Sequence, residues 1–159
     1  MSDSPFRIRL ADANDDRFIL GLAPRFVDFP LPVWRRRNEC IEGIREDLNH
    51  HLQDEPANSF LFVLEDADTG KSVGFAHLQK VQDFFNGRTN CHISDLAVAP
   101  VWDGKGAGRA LLEHAEDWAR EHGCHLVTLA VFPGNERARR IYAAAGYDTD
   151  LLRLAKPIR

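Results

Sequence analysis

Glycines alternate at Gly104, Gly106 and Gly108, directly behind a strand-like run and directly ahead of an amphipathic helix. Lacking a Cβ, such residues let backbone N–H groups come close to a ligand. The helix start adds unpaired N–H donors and a partial positive charge. The stretch from Val98 to Leu112 therefore reads as an anion cradle whose usual guest is a phosphate. Lys105 and Arg109 are either solvated helix residues or ionic partners of that guest. Two familiar phosphate motifs fail here. The P-loop needs a Gly-Lys pair followed by Ser or Thr at a spacing this chain lacks. A dinucleotide fingerprint started at Gly104 or Gly106 needs its third glycine where Arg109 or Leu111 stands.

Other residues near the cradle carry chemistry of their own. Asp95 lies on the strand that enters the glycine run, and a carboxylate there suits a general base. Its plainer role is an edge or turn-capping carboxylate. Ser94 and His92 share that strand. Adjacent strand residues point to opposite faces, so Ser94 and Asp95 both reach one cleft only if a bulge intervenes. Glu65 is a second carboxylate to weigh as base. Downstream, Asn135 caps a short helix bearing Ala138, Ile141 and Tyr142, which Gly146 ends. Tyr142 is either a core tyrosine or a proton donor. With an ordinary pKa of about 10, its phenol stays protonated at neutral pH.

The elements that must position these residues follow from periodicity. Phe6 to Leu10 alternates as a first strand, and Asp12 caps a helix with Phe18, Ile19 and Leu22 on one face. Pro24, Pro30 and Pro32 break the chain into an apolar loop. A second helix fits roughly 34–52. Strands follow at 60–64, 73–81 and 91–98, with turns at Asp66 to Gly70 and at Asn86-Gly87. A helix at roughly 105–122 turns Ala107, Leu111, Leu112, Ala115, Trp118 and Ala119 inward, and Gly123 ends it. A buried strand at 126–131 and a last strand from Tyr147 to Leu154 complete the order. The expected fold class is α+β, a largely antiparallel sheet with one parallel junction, in one domain over 1–159.

The bulk numbers bound the function. The chain has 159 residues, 44% hydrophobic and 28% charged, with a formal net charge of −4. That balance provides no global basic field, and Arg35-Arg36-Arg37 alone is a local anion contact or a solvated face, so nucleic acid is not the expected partner. Cys40, Cys91 and Cys124 are an odd set without CxxC spacing, which predicts reduced thiols in a cytoplasmic protein. The first residues lack a signal-peptide pattern and no run is apolar enough for a membrane span. The histidines show no metal-ligand spacing, His50-His51 reads as a surface pair, and no metal is expected.

Leu96 and Val98, the run Gly104-Lys105-Gly106-Ala107-Gly108-Arg109, and Asn135 with Ala138, Tyr142, Gly146 and Tyr147 together resemble the GNAT N-acetyltransferase superfamily. The element order fits that fold along nearly the whole chain. The resemblance implies two parallel strands splayed apart at a site for acetyl-CoA as cosubstrate. It implies that the pyrophosphate rests on the N–H groups of residues 104–109. The pantetheine arm would pair along Leu96, Ala97 and Val98, with Asn135 in contact. A backbone N–H near Val98 would stabilise the oxyanion. Tyr142 would protonate the leaving thiolate, and Asp95 would deprotonate a primary amine of a small molecule or exposed protein amine. Asp103 departs from the family pattern, which has Arg or Gln there, and is expected to face solvent. Ala130 stands where relatives acting on protein N-termini often carry Glu. The acceptor pocket is expected from residues 24–40 and 82–90, with Phe29, Trp34, Phe84 and Phe85 as walls and Asp28, Glu39 or Asp83 attracting a cation. The same aromatics fit a homodimer contact. The alternative function is a non-catalytic acyl-CoA-binding module.

Overall fold

Five strands lie side by side in chain order: β1 (Phe6–Leu10), β2 (Ser59–Asp66), β3 (Ser72–Gln82), β4 (Thr89–Val98) and β5 (Leu126–Leu129). β1 to β4 pair antiparallel, and β5 joins β4 in parallel. The computed structural model describes residues 4–158. The connections explain the pairing. Tight turns join β2 to β3 and β3 to β4, and tight turns can only reverse a strand. The first is held by the Asp66 carboxylate, which accepts from the N–H and hydroxyl of Thr69. In the second, the side chains of Asp83 and Asn86 accept the N–H groups of Phe85 and Arg88. The link from β4 to β5 contains a whole helix, long enough for a parallel crossover.

Among the described residues, four α-helices flank the sheet: α1 (Asp16–Gly21), α2 (Arg37–Asp54), α3 (Ala107–Glu121) and α4 (Glu136–Ala144). The six expected apolar positions of α3 are all buried, against Leu64, Ala76, Leu78, Cys91 and Ile93. On the other face α1 and α2 set Ile19, Leu22 and Leu48 against Val63, Phe75 and Ala97. Each large apolar side chain fully buried this way contributes about 1.5–3 kcal/mol. Cys91 is wholly buried, and burial pushes its thiol up to about 12, so it packs as an apolar residue. Before α1, Asp12 and Asp15 form the capping box of a short 3-10 turn. The Arg9 guanidinium, hydrogen-bonded to both Asp15 oxygens at 2.8 Å, holds that carboxyl below the usual carboxylate range.

Three elements differ from expectation. The first is β5, which ends at Leu129 instead of 131 and is half-buried to exposed instead of buried, because the chain beyond it lines an open cavity. The second helix starts at Arg37, not near 34, because a turn closed by the Arg35 N–H on the Pro32 carbonyl precedes it and the Arg37 guanidinium donates to the carbonyls of Val27 and Phe29. The expected last strand is not formed: residues 148–158 have no regular structure, and Leu151, Leu152 and Leu154 are exposed. A strand needs a neighbour to receive its backbone hydrogen bonds. The candidate neighbour, β5, is only four residues long.

Candidate active site

β4 is two strands in one. From Asn90 to Ile93 it is paired on both sides, with β3 and with β5. The β5 ladder then stops at Ile93 opposite Leu129. At the same point the β3 register jumps, since Leu78 pairs with Ile93 but His77 pairs with Asp95. Ser94 is the extra residue of a β-bulge, which bends the strand and reverses its later alternation. Cys91 and Ile93 pack toward α3, and so do Leu96 and Val98, whereas Ala97 packs toward α1 and α2. The apolar spacing 91, 93, 96, 98 records that break in period two within the sequence itself. The bulge turns Asp95 away from the α3 core, and both Ser94 and Asp95 line the cleft.

That cleft is a cavity of about 1040 Å³ between the bent half of β4 and the chain leaving β5. Leu96, Ala97 and Val98 form one wall, and Ala130, Val131 and Phe132 form the other. The Cβ-less face of Gly134 presses on the carbonyl of Pro30, and Phe29 packs on Phe132 with ring centroids 6.0 Å apart. These contacts hold the 24–32 loop over the opening.

The glycine run closes one end of the cavity. Gly104 and Gly106 take the left-handed conformation (φ of 76° and 84°), which residues with a Cβ rarely adopt. Gly106 caps α3, and Gly108 sits beside the Val98 side chain with room for a Cβ at ordinary contact distance, 4.0 Å. Gly104, Gly106, Ala107, Gly108 and Arg109 face the cavity. Lys105 instead sets its ammonium 5.0 Å from the Trp102 ring centroid and is not among the lining residues.

Asp103 does not face solvent as expected. Its side chain is 27% exposed and is held between two arginines. Arg25 donates to both its oxygens at 2.8 and 2.9 Å, and Arg137 lies 2.8 Å from Oδ2. Arg25 also donates to the Val98 carbonyl and pairs with Asp28. The carboxylate is thus neutralised by groups that sequence spacing could not bring to it, from residues 78 positions upstream and 34 downstream.

Asn135 and Tyr142 both line the cavity. The Asn135 side chain accepts the N–H of Ala138 at 3.2 Å, so it is the α4 cap. Tyr142, one helical face further along, is half-buried, and burial pushes its phenol above the usual tyrosine value. It therefore holds its proton at neutral pH. Tyr147 packs beside it, its hydroxyl donating to Glu116 at 3.0 Å.

The acceptor wall is built by fewer residues than expected. Phe26, Asp28 and Phe29 line the cavity, but Trp34, Glu39, Asp83, Phe84 and Phe85 do not. The 82–90 turn sits at the far end of β4, where Phe84 is 93% exposed. Asp83 is spent on the Phe85 N–H, Asn90 and His125. Glu65 lies 3.2 Å from Arg9 at the β1 side of the sheet, outside the cavity. Among the described residues, no helix is long and apolar enough to cross a membrane.

Residues 28–147 match the family model described as the acetyltransferase (GNAT) family. The chain belongs to the GNAT family. An aminoglycoside N(6')-acetyltransferase type 1 of Stenotrophomonas maltophilia is 31% identical over 129 residues, 79% of this chain and 80% of that one. A putative acetyl transferase from Pyrococcus furiosus superimposes with a TM-score of 0.73 at 25% identity, over 96% of this chain and 99% of that one. The structure of AAC(6')-Iy in complex with the bisubstrate analog CoA-S-monomethyl-acetylneamine shares the fold, with a TM-score of 0.69 at 18% identity over 98% and 99% of the two chains. This GNAT protein is an N-acetyltransferase, and its family uses acetyl-CoA and amine acceptors. Sequence reasoning missed Arg25 and Arg137 at the cavity and His77 beside Asp95, because their partners lie on other elements.

Proposed function

We propose that this enzyme passes acetyl directly from acetyl-CoA to a primary amine of a small molecule or exposed protein amine, with no covalent enzyme intermediate. The observation that carries the reading is the convergence of Asp95 and Tyr142 on one cavity whose end is the glycine cradle and whose wall is an unpaired strand edge. The cavity suits an extended phosphorylated cosubstrate in size and chemistry. The N–H groups of residues 104–109 would hold its pyrophosphate. Its peptide-like arm would lie along Leu96, Ala97 and Val98, in the place a longer β5 would occupy, with Asn135 beside it. Arg137, Arg109 and Arg25 supply cations near the phosphates, and Lys105 serves from outside the lining.

The chemistry needs two protons removed from the nitrogen and one given to the sulfur. Asp95 takes a proton from the ammonium, and the freed amine attacks the thioester carbonyl. A backbone N–H near Val98 steadies the negative oxygen. The C–S bond then breaks, and Tyr142 gives its proton to the departing sulfur. The nitrogen's second proton passes to the Tyr142 oxygen and restores it, so that one proton leaves overall by way of Asp95. Asp28, Phe26 and Phe29 form the wall open to a cationic, partly apolar amine. The relative named for aminoglycosides makes multiply aminated sugars one class to test.

A panel of polyamines, amino acids, aminoglycosides and peptides, assayed for thiol release from acetyl-CoA, tests the reading. Release with at least one amine, matched by N-acetylated product, is expected. Tight CoA binding without product from any of them removes it.

A further inference from the structure

Behind Asp95 lies a line of polar groups that no part of the transfer reaction has yet used. Asp95 Oδ2 is 2.9 Å from His77 Nδ1. His77 Nε2 is 2.7 Å from Ser59 Oγ. Ser59 Oγ is 2.8 Å from His51 Nδ1. His51 Nε2 lies 3.6 Å from Asp47 Oδ1 on the exposed side of α2. The line starts at a carboxylate lining the cavity, runs along the α2 face of the sheet past β4, β3 and β2, and ends at solvent at the exposed Asp47 on α2.

Local structure explains how it assembles. The Ser94 bulge puts Asp95 opposite His77 in the β3–β4 ladder, so both point toward α2. Leu48 and His51 are three residues apart on α2 and share its buried face. His51 is therefore buried, not part of a surface pair, and stacks edge-on to His77 with centroids 4.4 Å apart. His77 is wholly buried, at a place where an apolar residue would pack without needing hydrogen bonds. Burial and the neighbouring His77 hold His51 below the usual histidine range, so its ring is neutral at pH 7 and keeps a bare nitrogen able to accept a proton. The charged and titratable groups around the line are Asp95 and His92 on β4, and Asp47, His50 and His51 on α2.

The ligand-capable atoms of Asp47, His51 and His77 lie within 4.8 Å of one another. Both His77 nitrogens and Nδ1 of His51 are already engaged with Asp95 and Ser59, which leaves an ion few free lone pairs. A proton path uses those same bonds.

We propose that His77, Ser59 and His51 relay the substrate's proton from Asp95 to solvent at Asp47. The proposal rests on the reading of Asp95 as the base. The ammonium's proton passes to Asp95 and then to His77 Nδ1. The His77 Nε2 proton moves to Ser59 Oγ, and the Ser59 hydroxyl proton moves to His51 Nδ1. The His51 Nε2 proton leaves to Asp47 or water. One proton crosses, and each side chain ends with as many protons as it began with. Rotation of the Ser59 hydroxyl and tautomer exchange of the two rings reset the line. None of the three touches substrate, so they act through Asp95.

Single-turnover acetyl transfer to whichever amine the panel identifies tests the relay, using wild type and the Asp95→Asn, Ser59→Ala, Ser59→Thr and His51→Gln variants. Asp95→Asn should slow transfer by about a hundredfold or more. Ser59→Ala and His51→Gln should slow it roughly tenfold with acetyl-CoA affinity unchanged, and Ser59→Thr should restore it. Rates in H2O–D2O mixtures should curve with deuterium fraction in wild type, as several moving protons require, and straighten in Ser59→Ala. Slow Asp95→Asn with wild-type rates in Ser59→Ala and His51→Gln overturns the relay and leaves the base standing. A slow Ser59→Ala whose mixture plot still curves assigns the line a purely structural role. Wild-type transfer by Asp95→Asn removes the base and the relay together.

Discussion

The two halves of β4 have the same strand backbone and opposite fates. Asn90 to Ile93 is paired on both edges, so its backbone is spent on neighbouring strands, and His92 meets the Thr128 hydroxyl at 2.9 Å. Ser94 to Val98 has lost β5, carries a bulge, and lines the cavity along its whole length. One extra residue separates a structural strand from a binding wall. The lesson concerns satisfaction of the backbone. A fully paired edge has nothing left to offer a ligand, whereas an unpaired edge keeps N–H and C=O groups free for water or a ligand.

The largest effect should come from removing one hydroxyl on each side of that boundary. Tyr142→Phe at the open half should lower kcat about a hundredfold with acetyl-CoA affinity within twofold, whereas Thr128→Val at the paired half should leave kcat near wild type. Steady-state kinetics and equilibrium CoA titration compare them, and equal kcat values for the two variants would erase the contrast.

Next is the bulge itself. Deleting Ser94 lets Ile93 and Asp95 follow each other in regular alternation and keeps Asp95 opposite His77, but straightens β4 toward residues 130–131. Acetyl-CoA affinity should fall by tenfold, about 1.4 kcal/mol, in a chain that still melts cooperatively. Undiminished affinity would show that the missing β5 ladder, not the bend, makes the slot.

A smaller change is expected at Asp103. Asp103→Asn frees Arg25 and Arg137 from a half-exposed ion network worth at most about 1 kcal/mol. Acetyl-CoA should bind a few-fold tighter by isothermal titration, and weaker binding would mean that the carboxylate orients the arginines for phosphate.

The mildest test spans both halves. Burial lowers the pKa of His92 in the paired half and of His51 behind the open half. Below the unfolded value near 6.5 the unfolded chain binds protons that the folded one refuses, so stability present above that pH is lost as pH falls. Tm should drop between pH 7 and 5.5, and the drop should shrink in His51→Gln. A Tm flat across that range would contradict the burial of both rings.

Much of this molecule was legible from spacing. The cradle, the buried face of α3, the Asn135 cap and the placement of Tyr142 involve residues within a turn or two of each other, where chain geometry dictates which side chains meet. The last strand was misread for a related reason. Alternation says what a segment can do, and a strand forms only where a neighbour accepts its hydrogen bonds.

Sequence by itself therefore determined the local parts of the proposed cosubstrate end: glycines at a helix start, a strand before them and a tyrosine on the helix after. Tertiary structure alone decided the side-chain partners of the proposed proton end. Asp103 meets Arg25 and Arg137, and Asp95 meets His77, Ser59 and His51, across elements far apart in the chain. Backbone geometry propagates over a few residues, but the meeting of distant side chains depends on sheet register and helix packing. Here a single residue of slippage at Ser94 chose which face Asp95 would serve.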